Sequence, residues 1–110
     1  MAKYEREFEG DFDTALNRLH NGILSGSASA SYESGSDWRR GSFRCAVRVY
    51  ERFSLTGGNR LSASVTLAGE GRTLFLSVIT AGGSRGAFLK INTWGEHTFL
   101  DAIQEIVERL

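Results

Sequence analysis

An α+β fold is predicted: a single curved antiparallel sheet with two helices on one face, in the order β-α-β-β-β-β-β-α. Three observations predict it. Several stretches alternate apolar and polar residues, the pattern of half-buried strands. Glycine-rich links of a few residues separate most of them, which forces consecutive strands to be antiparallel neighbours. Two segments, one near each end, instead carry apolar residues at helical spacing. The chain of 110 residues contains no proline, so its tight turns rest on glycine and asparagine. That length fits one domain, 1–110, with a core of its own.

The first strand is expected over residues 2–9, with Tyr4 and Phe8 on one side and Lys3, Glu5, Glu7 and Glu9 on the other. Arg6 falls on the apolar side, which suits an edge strand. Asp11 then has the chemistry of a helix N-cap, and Asp13 suits the positive first turn. Phe12, Ala15, Leu16, Leu19 and Ile23 form the stripe of a helix reaching about Leu24, ended by Gly22 or Gly26. Ser27–Ser34 reads as a weak strand with Ala28, Ala30 and Tyr32 inward, and residues 35–41 read as a loop that holds Trp38.

The longest alternating run is Ser42–Leu55. Phe43, Cys45, Val47, Val49, Phe53 and Leu55 fall on one face, which is expected to form the floor under the helices. Arg44, Arg48, Tyr50 and Arg52 fall on the other, which is expected to face solvent or a partner. Thr56–Asn59 reads as a hairpin turn. Residues 60–68 alternate with Leu61, Ala63, Val65 and Leu67 on one side, and Gly69–Gly71 turns the chain. Arg72–Ala81 is apolar on both faces, the mark of a strand that is central or covered on both sides. A short last strand is expected over 87–92. Thr93 and Glu96 fit a capping box that opens the final helix, whose apolar face is Phe99, Leu100, Ile103, Ile106, Val107 and Leu110. Trp94 is expected to plug the end of the core.

Strand, helix, antiparallel meander and C-terminal helix in this order resemble the helix-grip and TATA-box-binding-protein-like topologies. In the larger helix-grip proteins the sheet wraps the last helix, and the resemblance implies an apolar ligand held between the two. A second resemblance rests on Arg44–Phe53, Gly57–Arg60 and Lys90–Thr93. Through these segments the chain is similar to a family of small, functionally uncharacterised bacterial proteins, which supplies no substrate, cofactor or catalytic residue.

Charge is neutral overall but unevenly laid out. Residues 1–38 carry seven acids and three bases, residues 39–90 carry two acids and nine bases, and residues 91–110 carry four acids and one base. Arg44, Arg48 and Arg52 recur every fourth residue, about 13 Å apart at ~3.3 Å per residue, with Tyr50 between two of them. Guanidinium groups around an aromatic ring suit phosphates, carboxylates or stacked bases. The same row also reads as a solvated or acid-paired face, or as a face for self-association. Zero net charge argues against nucleic acid as the partner.

Other chemistry is sparse. Gly82–Gly86 lacks the Gly-Lys-Ser/Thr ending of a nucleotide phosphate loop. His20 and His97 have no further ligand at metal spacing, and the single cysteine, Cys45, reads as core filling. No apolar run approaches the roughly 20 residues that span a bilayer, and the start has no signal-peptide core. The expectation is a cytoplasmic, non-catalytic interaction module without metal or cofactor, binding through Arg44, Arg48, Tyr50, Arg52 and Trp38. Its candidate partners are a second copy, another protein or a small molecule, with no role for a membrane.

Overall fold

The computed structural model describes residues 1–26, 30–53, 60–82 and 89–110, with side chains for all of these except 53 and 89–98. The elements are β1 (Ala2–Glu9), α1 (Phe12–Gly26), β2 (Ala30–Arg40), β3 (Phe43–Phe53), β4 (Arg60–Glu70), β5 (Thr73–Gly82) and α2 (Leu89–Glu108). All neighbouring strands are antiparallel, in the order β1-β5-β4-β3-β2. The fold is therefore α+β, an open antiparallel sheet with both helices on one face.

Local chemistry sets the connections. Arg40 pairs with Phe43 and Glu70 with Thr73, so two residues close each of those hairpins. Gly41 and Gly71 open the turns with φ of 59° and 60°, while Ser42 and Arg72 keep negative φ. A glycine at the first central position followed by an ordinary residue is the type II′ turn, whose twist matches its strands. The β1–β2 connection crosses the whole sheet, from one edge to the other. Five strands span about 19 Å between outer axes, and the 15 residues of α1 cover about 22 Å. One helix thus makes the crossing. Asp11 caps it: its carboxylate accepts from the Thr14 amide at 3.0 Å and the Thr14 hydroxyl at 2.9 Å.

The core lies between the helices and one face of the sheet. Phe12, Ala15, Leu16, Leu19 and Ile23 of α1 are buried, as expected. So are Phe99, Leu100, Ile103 and Val107 of α2, with Ile106 and Leu110 packed at its margin. The sheet contributes Leu61, Ala63, Val65 and Leu67, then Leu74, Leu76 and Val78, with Thr80 donating to the Ala2 carbonyl at 3.5 Å. On the β1 edge Arg6 reaches the Val107 carbonyl near the end of α2 at 3.4 Å, as a cation near a helix C-terminus should.

The face of β3 is a correction. Tyr50 pairs with Ala63, Arg48 with Val65 and Ala46 with Leu67, so the arginine-bearing side shares the buried face. Tyr50 and Ala46 are fully buried. Phe43, Cys45, Val47 and Val49 lie on the side away from the helices, and Phe43 is 37% exposed. Alternation within a strand says which residues share a face, not which face is inside. The register with the next strand decides that, and a shift of one residue inverts it.

Two boundaries differ as well. The expected loop 35–41 is strand up to Arg40. The stretch has almost no burial to reveal it, because β2 is an edge strand exposed on both faces from Ser31 onward. The expected strand at 87–92 is helical from Leu89, so Thr93 lies inside α2 rather than capping it. The side chains of Phe53 and Trp94, together with Ala28, Leu55, the Thr56–Asn59 turn and Gly83–Gly86, lie outside the described residues.

Two measurements check this account. Leu67→Ala should cost about 2–5 kcal/mol in denaturant unfolding, whereas Phe75→Ala on the opposite face should cost under about 1 kcal/mol. The Asp11 carboxyl is held below its ordinary range, chiefly by the Thr14 amide and then by its hydroxyl. A depressed folded value means the cap stabilises fully above the usual aspartate range and fades as pH falls below it. Thermal melts from pH 6 to pH 2 should therefore lose less for Asp11→Asn, which keeps an uncharged cap, than for the native chain.

Candidate interaction surface

The arginine row is built into the protein. The Arg44 guanidinium lies 4.2 Å from the Phe12 ring centroid and 2.9 Å from the Asp13 carboxylate. Both partners stand at the start of α1, so Arg44 fastens that helix to β3. Arg48 pairs with Asp37 at 3.0 Å and donates to the Val47 and Ser36 carbonyls at 2.9 and 3.3 Å, tying β2 to β3. Arg52 lies 5.7 Å from the Phe99 ring of α2. The Arg44 and Arg52 guanidinium groups thus lie over aromatic core residues at the margin of the helix layer, as long amphipathic side chains do.

Tyr50 anchors an aromatic group inside this row. Its hydroxyl meets His20 Nδ1 at 2.8 Å, and the His20, Tyr32 and Tyr50 rings lie 5.2 to 5.8 Å apart. Gly35 makes room beside them. A Cβ there would stand 2.5 Å from the Tyr32 hydroxyl and 2.8 Å from the Val47 carbonyl oxygen. Burial pushes the Tyr50 phenol up to about 12, with the Arg48 charge acting against it and Tyr32 adding to it. His20 stands four residues after Leu16, so the α1 stripe already brings it near the sheet.

Of the five residues expected to bind, the structure brings four onto one face and sends the fifth to the other. Arg44, Arg48, Tyr50 and Arg52 share the helix side. Trp38 pairs with Cys45 on the open side, 54% exposed, with its ring 5.8 Å from Phe43.

That open side is the surface a sequence reading misses. The pairings lay it out in rows across the sheet: Glu9–Thr73–Glu70–Phe43–Arg40, then Glu7–Phe75–Ala68–Cys45–Trp38, then Glu5–Ser77–Thr66–Val47–Ser36, then Lys3–Ile79–Ser64–Val49–Ser34. Read by columns, β1 is mostly acidic and β4 is small (Ser64, Thr66, Ala68) apart from Glu70 in the first row. On β5, Phe75 and Ile79 are 41% and 39% exposed. A shallow depression of about 420 Å³ lies over Ala68, between Phe43 and Phe75. The signal was present in β5, which is apolar on both faces while the described residues cover only one.

The helix side offers less room. A cavity lined by Gly22, Ile23, Phe99, Ile103 and Ile106 lies between α1 and α2 rather than under the sheet. It measures about 160 Å³, below the roughly 300 Å³ of ligand pockets.

Fold and surface together define a small α+β domain with one sheet face covered by its helices and the other, among the described residues, left open. The whole chain, residues 1–110, matches the model of a family of unknown function, DUF6054, and the protein belongs to that family. No curated protein and no solved structure matches it.

The buried Tyr50 phenol can be followed by titration. A phenol that ionises at about 12 when folded and near 10 when unfolded makes the folded state lose stability as pH rises from 10 towards 12. Absorbance titration of the native protein should show one of the three tyrosines ionising last. Tyr50→Phe should remove that step and flatten the alkaline loss of stability.

Proposed function

We propose that this chain is a non-catalytic interaction module, working in a bacterial cytoplasm, that buries its open sheet face on another protein chain. One observation carries the reading: Trp38, Phe43, Phe75 and Ile79 are between 37% and 54% exposed on a surface continuous with half-buried Cys45, Val47 and Val49. Soluble monomers seldom leave a contiguous apolar surface of this kind to water, and such patches mark contacts. Burying it gains about 25 cal/mol for each Å² removed from water.

Two further features support the reading. The arginines that could have formed an anion site are engaged within the chain, with Arg44 on Asp13 and Arg48 on Asp37. Tyr50, whose phenol is pushed up to about 12, is too weak an acid for proton transfer near neutrality. For the cytoplasm, the support is a single cysteine, which allows no internal disulfide. Among the described residues, moreover, no helix is long and apolar enough to cross a membrane.

A photo-crosslinking amino acid placed at Val47, on the open face, tests this in living cells against one placed at Asn17, exposed on α1. Protein adducts should form at Val47 and be largely absent at Asn17. Equal yields at both positions, or none at Val47, would contradict the proposal.

A further inference from the structure

The open face complements itself, and we infer that its occupant is a second copy of this chain, packed face to face about a two-fold axis running along β4. This deepens the interaction reading and rests on it. An axis parallel to the strands keeps each row of the sheet level with the same row of the second copy. It carries β5 over β3, and β1 over β2.

The side chains then fit by size. Phe75 of one copy faces Cys45 of the other, and Ile79 faces Val49, because each pair occupies one row on opposite sides of β4. Along the axis itself Glu70, in the outermost row, stands against its own copy, and the rest of the β4 column meets through Ala68, Thr66 and Ser64. These small side chains let two sheets approach to the roughly 10 Å of packed sandwiches.

The charges fit as well. Glu9 and Arg40 end the same row at opposite edges of the sheet, Glu9 on β1 and Arg40 on β2. Rotation about β4 lays Glu9 of each copy over Arg40 of the other, two opposite-charge pairs per dimer against the single Glu70–Glu70 contact on the axis. An axis across the strands would instead lay β1 on its own copy with the rows reversed, setting Glu5 against Glu7 twice and leaving Arg40 without an acid opposite it, which costs affinity. Size is adequate too. Five strands and four rows cover about 24 by 27 Å, roughly 650 Å² per copy and about 1,300 Å² in total, within the range of specific interfaces.

Sedimentation equilibrium of the full chain tests the arrangement, using Glu9→Arg, Arg40→Glu, the double exchange, Phe75→Lys, and Glu108→Arg on the exposed side of α2 as a control for net charge. The native chain should dimerise at tens of micromolar. Each single exchange should weaken the dimer about tenfold, as two opposed rim pairs of modest strength imply. The double exchange should return it to within about twofold of native, Glu108→Arg should change little, and Phe75→Lys should abolish it. A dimer lost with Phe75→Lys but not restored by the double exchange overturns this arrangement and leaves the interaction reading intact. A dimer indifferent to Phe75→Lys contradicts both. A native chain that stays monomeric to several hundred micromolar overturns the second copy as occupant, and the interaction reading then rests on the Val47 crosslink alone.

Discussion

The pairing of Tyr50 with Ala63 governs the rest of this structure. The β3–β4 register puts even-numbered residues of β3 beside odd-numbered residues of β4, and Leu61, Ala63, Val65 and Leu67 are committed to the helix layer. Everything on β3 follows from that parity. Tyr50 goes inside with Ala46, the arginines are carried to the margin of the core, and Phe43, Cys45, Val47 and Val49 are turned outward. No choice of side chain on β3 alone could reverse this, because side chains alternate along a strand and neighbouring partners point the same way.

The arginines make this register tolerable. A strand that brings three guanidinium groups to the edge of a hydrophobic layer would be costly if they were desolvated without partners. Here Arg44 lies over Phe12 and against Asp13, Arg48 spans to Asp37 and two carbonyls, and Arg52 approaches Phe99. Each stem adds apolar cover while its head stays near water or a carboxylate. The uneven charge of the chain acquires a local meaning in this way. Part of the basic middle is neutralised by acids of α1 and β2 within the same domain.

Legibility in the sequence followed burial. The α1 stripe and its Asp11 cap were readable, since a helix signals its buried face and its first turn in adjacent residues. The same holds for β4, where Leu61, Ala63, Val65 and Leu67 alternate with hydroxyl residues, and for the apolar face of α2 from Phe99 onward. What could not be read was anything that depends on a distant partner. The inward face of β3 is set by β4 rather than by β3 itself. β2 beyond Gly35 offers no alternation, because an exposed edge strand buries neither face. Leu89 and Ile91 were too short a run to separate a strand from the first turn of a helix. Of the expected binding residues, Trp38 alone lies on the open face, and its apolar neighbours were assigned to the core because they resemble one.

The central claim is that β3 turns its arginine side inward and its aliphatic side outward. Methyl NMR of dilute protein with a soluble paramagnetic probe measures this directly. The account predicts strong broadening of the Val47, Val49 and Ile79 methyls, with those of Val65, Leu67 and Val78 spared. Protection of Val47 and Val49 equal to that of Val65 under the same conditions would contradict it.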